Sequence, residues 1–340
     1  MSGWESRKVF IAEPNDGLDD TFQILKDLGC RVVTGPPVSC AGQGYSEDEL
    51  VELCRDADAF FGMSREVITR RILEASPKLR VICKYGTGVN NIDVAAATDC
   101  GILVANAPVH NLTVAEYAIA SMLSLLKKIP YNANHLRSGG WRDSTTTGQE
   151  LYQKTVGILG FGRIGKQIAK RLSGWEVKLI TYDPVVTREE ASLFGARMVS
   201  WDELFSESDI VTVHLPLNDA TAGIIGKKEF DRMKETALFV NDARGALVDQ
   251  EALTDALVHH KIAGAAIDVF PQEGLPSDYP LLSMDQVILT PHTAGYTVES
   301  LRRIAGQATE NCMAALRGQI PEFVVNREAI PKWKERFGAR

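Results

Sequence analysis

The chain has 340 residues, 45% of them apolar and 24% charged, and a formal net charge of −7 at neutral pH. That length accommodates two domains with sizeable cores, and the excess of acid argues against nucleic acid or an anionic membrane as a partner. No apolar run approaches the ~20 residues that span a bilayer, and the start, MSGWESRKVF, lacks the apolar core of a signal peptide. The six cysteines, Cys30, Cys40, Cys54, Cys83, Cys100 and Cys312, show neither C-x-x-C pairing nor a histidine at zinc spacing. They read as free thiols beside apolar runs, which fits the cytoplasm and gives no metal site.

From the N-terminus, apolar runs alternate with helical patterns. Strands are predicted at 9–12, 31–34, 59–63, 79–83 and 102–105, with helices at 20–28, 47–55, 68–75 and 94–98 between them. Strands separated by single helices pair in parallel through right-handed crossovers, so this stretch is a first doubly wound sheet. Residues 35–46, GPPVSCAGQGYS, form an exposed loop within it. After Pro108 a long apolar helix is predicted over 113–128, and 131–154 reads as an irregular connection. Strands then recur at 155–159, 177–182, 210–215, 237–241, 262–268 and 287–290, with helices near 163–172, 201–205, 228–233 and 251–259. The helical pattern 298–316 follows the completed second sheet and is expected to return to the first. The fold class is therefore α/β, with two doubly wound, Rossmann-like parallel sheets. Residues 1–105 plus 296–340 make one domain, and 106–295 make a second domain inserted into it.

The stretch 155-TVGILGFGRIGKQIAKRLSGWEVKLITYD-183 carries the most chemistry. Gly160, Gly162 and Gly165 stand at G-x-G-x-x-G spacing between a strand and a helix, and a second strand ends in Asp183. This is the dinucleotide-binding βαβ pattern in its structural context. Gly160 permits the tight turn, Gly162 lets a pyrophosphate approach, and Gly165 lets helix and sheet pack closely. The helix start, with Arg163 and Ile164, aims its N–H groups at the phosphates. Asp183 is placed to accept hydrogen bonds from an adenosine ribose and to repel a 2′-phosphate, favouring NAD over NADP, although Arg188 lies a few residues on.

Three strands of the second sheet end in ionisable residues: Arg244 in NDARGALVD, Glu273 after AAIDVFPQ, and His292 in LTPHTAG. Ligands of open parallel sheets bind beyond the carboxyl ends of the strands. A histidine there can deliver a proton to a carbonyl oxygen, a carboxylate can orient the imidazole, and a guanidinium can hold a carboxylate with two parallel bonds. Topology alone leaves each a structural alternative: a surface ion pair for Arg244, a solvated Glu273, and a loop-filling His292.

The words GILGFGRIG, NDARGALVD, AAIDVFPQE and LTPHTAG, in that order, resemble the D-isomer-specific 2-hydroxyacid dehydrogenase family, nearest its phosphoglycerate dehydrogenase and hydroxypyruvate/glyoxylate reductase branches. The resemblance implies an Arg244–Glu273–His292 catalytic triad and NAD as cofactor. It also implies a small 2-hydroxy or 2-keto acid substrate and a homodimer in which Trp141 reaches the neighbouring subunit. The segment 84-KYGTGVNNID-93 resembles the family's substrate loop, whose N–H groups at Thr87, Gly88 and Val89 receive the substrate carboxylate. Thr113, His214 and Asp268 are implied at the nicotinamide end of the cofactor site. His214 has packing as its plainer reading, and His110 at the hinge is a further candidate for substrate contact.

Two departures from the family pattern are Gly274, where Pro is usual, and Asn90, where Asp is common; neither removes a group the chemistry needs. The sequence ends soon after 323-FVVNREAIPKW-333, so no regulatory extension is expected. For a phosphorylated or sulfonated substrate, Arg65 and Lys84 are the candidate cations. The alternative to an enzyme is an NAD(H)-sensing, corepressor-like protein of the same fold with little turnover.

Overall fold

The computed structural model describes residues 4–14, 19–37, 44–63, 65–272 and 274–338. Residues 38–43 of the 35–46 loop, Cys40 among them, and Glu273 lie outside them. The chain divides into two compact units, Met1–His110 with Thr297–Arg340, and Asn111–Tyr296.

The first unit holds β1 (Lys8–Ile11), β2 (Arg31–Thr34), β3 (Ala59–Gly62), β4 (Val81–Lys84) and β5 (Leu103–Ala105). All pair in parallel, in the order β2-β1-β3-β4-β5. Alternation along each strand divides the core between two faces. Val9, Ile11, Phe61, Val81 and Cys83 pack with Ile304, Ala305, Ala308 and Cys312 of the helix Val298–Leu316. Phe10, Phe60 and Ile82 pack on the other face with Leu50 of the helix Glu47–Cys54 and Ile72 of the helix Arg70–Glu74. A further helix, Ile330–Phe337, buries Trp333, whose Nε1 donates to the Arg80 carbonyl at 2.9 Å. Its pattern shows a single buried side chain, too little for a periodic signal.

The second unit holds β6 (Thr155–Leu159), β7 (Lys178–Tyr182), β8 (Ala196–Met198), β9 (Ile210–Val213), β10 (Leu238–Asn241), β11 (Gly264–Ile267) and β12 (Val287–Leu289). They form a parallel sheet in the order β12-β11-β10-β9-β6-β7-β8. The strand order reverses between β6 and β9, which opens a crevice at their carboxyl ends. The helix Asn111–Leu126 covers one face, where Ala115, Ile119 and Met122 meet Val156, Ile158, Val240 and Ala266.

Several elements of this unit were not expected, among them the strand β8 and the helices Ile129–Arg137 and Arg188–Ser192. The edge strand β8 is only three residues long. The helix Ile129–Arg137 falls within the stretch read as irregular; it buries no residue and so lacks an apolar stripe. It also gives His135 partners: the ring stacks on Tyr131, and Nε2 is hydrogen-bonded to the Trp141 carbonyl at 2.8 Å. Among the described residues no helix is long and apolar enough to cross a membrane.

Candidate functional site

In the second unit the turn after β6 uses its three glycines for three different reasons. Gly160 has φ +92°, and a Cβ there would lie 2.7 Å from the His214 carbonyl carbon. Gly165 sits in the first turn of the helix Arg163–Leu172, where a Cβ would lie 2.4 Å from the Gly160 oxygen. Gly162, by contrast, faces open space. It is the N-cap of that helix and supplies no side-chain cap, so the first-turn N–H groups keep their capacity for an anion.

Asp183, just past β7, ties this turn together. Its Oδ2 accepts from the Phe161 N–H at 2.7 Å, and its Oδ1 accepts from Val185 and Val186 N–H at 2.8 and 3.1 Å. A carboxylate offers about four acceptor sites, so part of its capacity remains for a ribose hydroxyl.

The strand ends on the other side of the switch point are equally ordered. At the end of β10, Asn241 is buried; its Oδ1 accepts from Ala243 N–H at 3.1 Å, and its Nδ2 donates to the Arg244 carbonyl at 3.1 Å. That fixes the backbone bearing Arg244, whose Nη1 donates to the Ala243 carbonyl at 2.6 Å. Gly245 follows because a Cβ there would lie 2.0 Å from the Phe270 carbonyl carbon. The backbone after Arg244 thus abuts the segment that leads toward Glu273.

Beyond β11, Asp268 is buried and its carboxylate organises the turn 290–294. Its Oδ1 accepts from Thr290 Oγ1 at 2.7 Å and Thr293 N–H at 2.9 Å, and its Oδ2 accepts from Ala294 N–H at 2.8 Å. Within that turn His292 takes φ +55°, and its N–H donates to the Asp268 carbonyl at 2.8 Å. A left-handed histidine costs about 1–2 kcal/mol, and the Asp268 clamp holds it there. His214, just past β9, has Nε2 hydrogen-bonded to Thr212 Oγ1 at 2.8 Å. Burial pushes its imidazole down to about 3, so it is neutral at physiological pH.

In the first unit, the loop after β4 is held from both ends. Lys84 Nζ donates to Asn91 Oδ1 at 2.8 Å, and Asn91 Nδ2 donates to the Met63 and Glu66 carbonyls at 3.2 and 2.6 Å. Gly86 takes φ +106°, and Asn106 Nδ2 donates to the Thr87 carbonyl at 2.8 Å. Among the described residues, no group accepts a hydrogen bond from the N–H of Thr87, Gly88 or Val89. Thr87 Oγ1 lies 3.4 Å from His110 Nε2. Arg65 is committed inward: Nε donates to Glu66 Oε1 at 2.9 Å and Nη2 to the Ala12 carbonyl at 3.2 Å.

Residues 119–294 match the D-isomer specific 2-hydroxyacid dehydrogenase, NAD binding domain family. The chain belongs to this family. It is 39% identical over 330 residues to the D-3-phosphoglycerate dehydrogenase of Methanocaldococcus jannaschii, covering 96% of this chain and 61% of that one. It is 38% identical over 290 residues to the glyoxylate reductase of Korarchaeum cryptofilum, covering 84% and 87%. The NAD-dependent formate dehydrogenase of Staphylococcus aureus in complex with NAD superposes with a TM-score of 0.76 at 30% identity, covering 89% of this chain and 93% of that one. The chain spans about three fifths of the length of the phosphoglycerate dehydrogenases of Methanocaldococcus and Archaeoglobus that it matches.

NAD is the cofactor of this dehydrogenase-family chain, and the second unit fits it. The open space over Gly162, the uncapped helix start and the half-buried Asp183 supply what a pyrophosphate and a ribose require. Sequence reading passed over Asn241, Asp242 and Gly245, which brace or neighbour Arg244. The available signal was the run of short polar residues directly after an apolar strand.

Proposed function

We propose that the chain is an NAD-dependent oxidoreductase that interconverts a small D-2-hydroxy acid and its 2-keto acid, with unphosphorylated acids such as glyoxylate or hydroxypyruvate as substrates. The observation that carries the reading is the Asp268 clamp, which spends a buried carboxylate on holding one strained histidine at a strand end. Strain persists where the surroundings over-determine it, and such positions cluster at active sites.

NAD, when bound, accepts or supplies the hydride. His292 gives a proton to the carbonyl oxygen during reduction and removes it from the hydroxyl during oxidation. Arg244 holds and polarises the substrate, and Glu273, outside the described residues, orients the imidazole. Gly160, Gly162, Arg163, Ile164 and Gly165 cradle the pyrophosphate, Asp183 takes the adenosine ribose, and Thr113, His214 and Asp268 serve the nicotinamide end. The N–H groups of Thr87, Gly88 and Val89 receive the substrate carboxylate. In domain terms, the unit containing β6–β12 binds the nucleotide and the unit containing β1–β5 binds the acid.

The preference for unphosphorylated acids rests on Arg65 and Lys84. Both candidate cations are tied to Glu66, the Ala12 carbonyl and Asn91. A remote phosphate would have to compete with these part-buried bonds. We further propose a cytoplasmic homodimer, with Ile129, Leu136, Trp141 and Tyr152, all exposed within 129–152, at its interface. Light scattering should then give twice the chain mass.

The test is NADH oxidation with glyoxylate, hydroxypyruvate, phosphohydroxypyruvate and sulfopyruvate. Highest kcat/KM with glyoxylate or hydroxypyruvate is expected. A preference for phosphohydroxypyruvate would overturn the substrate class, and NADH binding without turnover of any of the four would favour a sensor.

A further inference from the structure

The loop after β4 is strapped to the segment that leaves β5 by two consecutive donors. The Ala107 N–H donates to the Gly86 carbonyl at 2.9 Å, and Asn106 Nδ2 donates to the Thr87 carbonyl at 2.8 Å. In a trans peptide unit the carbonyl and the N–H that follows it point in opposite directions. Drawing the Gly86 and Thr87 carbonyls toward one segment therefore turns the next two N–H groups, of Thr87 and Gly88, away from it together. Gly86 admits this turn with φ +106°, a conformation that a side chain would strain. Neighbouring N–H groups turned the same way make a small anion-binding concavity. Neither N–H donates to another group among the described residues, and the loop is open: Thr87 is exposed and Gly88 half-buried.

Of the two straps, only the one from Asn106 is made by a side chain. Its own backbone is held at both ends. The Asn106 N–H donates to the Phe323 carbonyl at 3.1 Å, and its carbonyl accepts from Asn311 Nδ2 at 2.9 Å. Asn311 is buried in the helix Val298–Leu316, and Gln307, one turn before it, donates Nε2 to its Oδ1 at 3.4 Å. All these residues belong to the first unit. A side chain on so fixed a backbone cannot follow a loop that moves, so it acts as a strut. A carbonyl only accepts hydrogen bonds, so the strut needs a donor, which the asparagine amide supplies.

We propose that Asn106 is a positioning residue, which aims the Thr87 and Gly88 N–H groups at the substrate carboxylate. This rests on the reading of that loop as the carboxylate site and adds what holds it in shape. Asn106 acts through the Thr87 carbonyl and exchanges neither proton nor hydride.

The experiment measures the affinity of oxamate, an unreactive amide isostere of a small 2-keto acid, for the NADH-saturated protein from mildly acid to mildly alkaline pH. Wild type is compared with Asn106→Ala and Asn106→Asp. Each variant is read against wild type at the same pH, which cancels the titration of His110, beside the loop, and of every other shared group. Asn106→Ala should weaken oxamate about five- to tenfold throughout, the size of one net hydrogen bond, and leave NADH affinity within about twofold. In turnover the loss should appear in the KM of the keto acid, with kcat within about threefold. Asn106→Asp should change places with it. Ionised, the introduced acid turns an acceptor toward the Thr87 carbonyl and should bind oxamate more weakly than Asn106→Ala. That carbonyl raises its pKa, and once protonated its O–H replaces the lost donor, so at the acid end it should bind more tightly than Asn106→Ala. Plain charge repulsion would bring it up only to the level of Asn106→Ala, and a loosened fold would not follow this titration. Unchanged oxamate affinity in Asn106→Ala, or an Asn106→Asp affinity that never exceeds it, would overturn the strut and leave the carboxylate site standing. Hydrogen exchange reads the site itself: oxamate should slow exchange across Tyr85–Asn91 in wild type. Oxamate that binds wild type without slowing it, or does not bind, would overturn the site and the strut with it.

Discussion

Asp268→Asn is the substitution that most directly tests how the candidate proton donor is held. The wild-type carboxylate accepts from Thr290 Oγ1, Thr293 N–H and Ala294 N–H at 2.7–2.9 Å. If the asparagine oxygen takes the position of Oδ1, its amide nitrogen faces the Ala294 N–H, and a buried donor loses its acceptor. That bond was charge-assisted and contributed about 1.5–3 kcal/mol. The other two fall from charge-assisted to neutral, losing about 1 kcal/mol each. The total, about 3–5 kcal/mol, exceeds the ~1–2 kcal/mol of left-handed strain at His292, so the turn should relax and carry the imidazole with it. The assay is amide hydrogen exchange at Thr293 and Ala294 without cofactor, alongside kcat/KM for the keto acid. Exchange should accelerate at least ~10²-fold, since 1.36 kcal/mol is a factor of ten, and kcat/KM should fall by at least ~10²-fold. Unchanged protection of both amides, together with kcat/KM within threefold of wild type, would refute the clamp.

Gly162→Ala should fold normally, because its Cβ meets open space, yet lose at least ~10-fold in NADH affinity. Gly165→Ala should instead lower the melting temperature, because its Cβ would lie 2.4 Å from a backbone oxygen. His292→Ala should cost ~10²–10⁴-fold in kcat/KM, the range for losing a general acid; near-full activity would remove it from the mechanism. Asp183→Ala should relax the preference for NADH over NADPH, and a wild type that uses both equally would show that Asp183 is not the discriminator. His214 is held neutral down to about 3 by burial while the unfolded chain protonates near 6.5. The unfolded state therefore binds more protons between those values, and this residue lowers stability progressively as pH falls through that window. At pH 5 the loss is about 2 kcal/mol, so urea unfolding of His214→Gln should be less acid-sensitive than that of wild type.

The repeating elements were legible because their signals are local. The central parallel strands are buried on both faces and read as unbroken apolar runs such as VFI, AFF or VIC. What escaped had no such signal. The helix Ile129–Arg137 buries nothing, β8 has three residues, and the helix Ile330–Phe337 buries only Trp333. The Gly-rich turn was legible residue by residue, because Gly160 and Gly165 answer steric demands of the fold and Gly162 leaves the space over the helix start open. Arg65 and Lys84 were misleading in the opposite sense. Their sequence positions suit a phosphate site, and only coordinates reveal that they bond Glu66, the Ala12 carbonyl and Asn91.

Asp242 and Asp268 illustrate what no local pattern can carry. In sequence each is an acid after an apolar run, which is the ordinary way a parallel strand ends. Register makes them neighbours, and neighbouring carboxyls at a buried edge cannot both ionise cheaply. The donors decide which one is satisfied. Four come from the His292 turn, Thr293 Oγ1 at 3.4 Å included, and all go to Asp268, leaving Asp242 to burial and to its neighbour's charge. One carboxylate thereby braces the histidine, while the other is left with a donor and an acceptor unspent. Two identical side chains acquire different chemistry from their surroundings alone. This division predicts a one-way coupling: Asp268→Asn removes the charge that helps keep Asp242 neutral and should lower its pKa. Asp242→Asn, which leaves every Asp268 donor in place, should not disturb the exchange protection of Thr293 and Ala294. Loss of that protection in Asp242→Asn would mean that the two acids act as one structural unit and that the division is wrong.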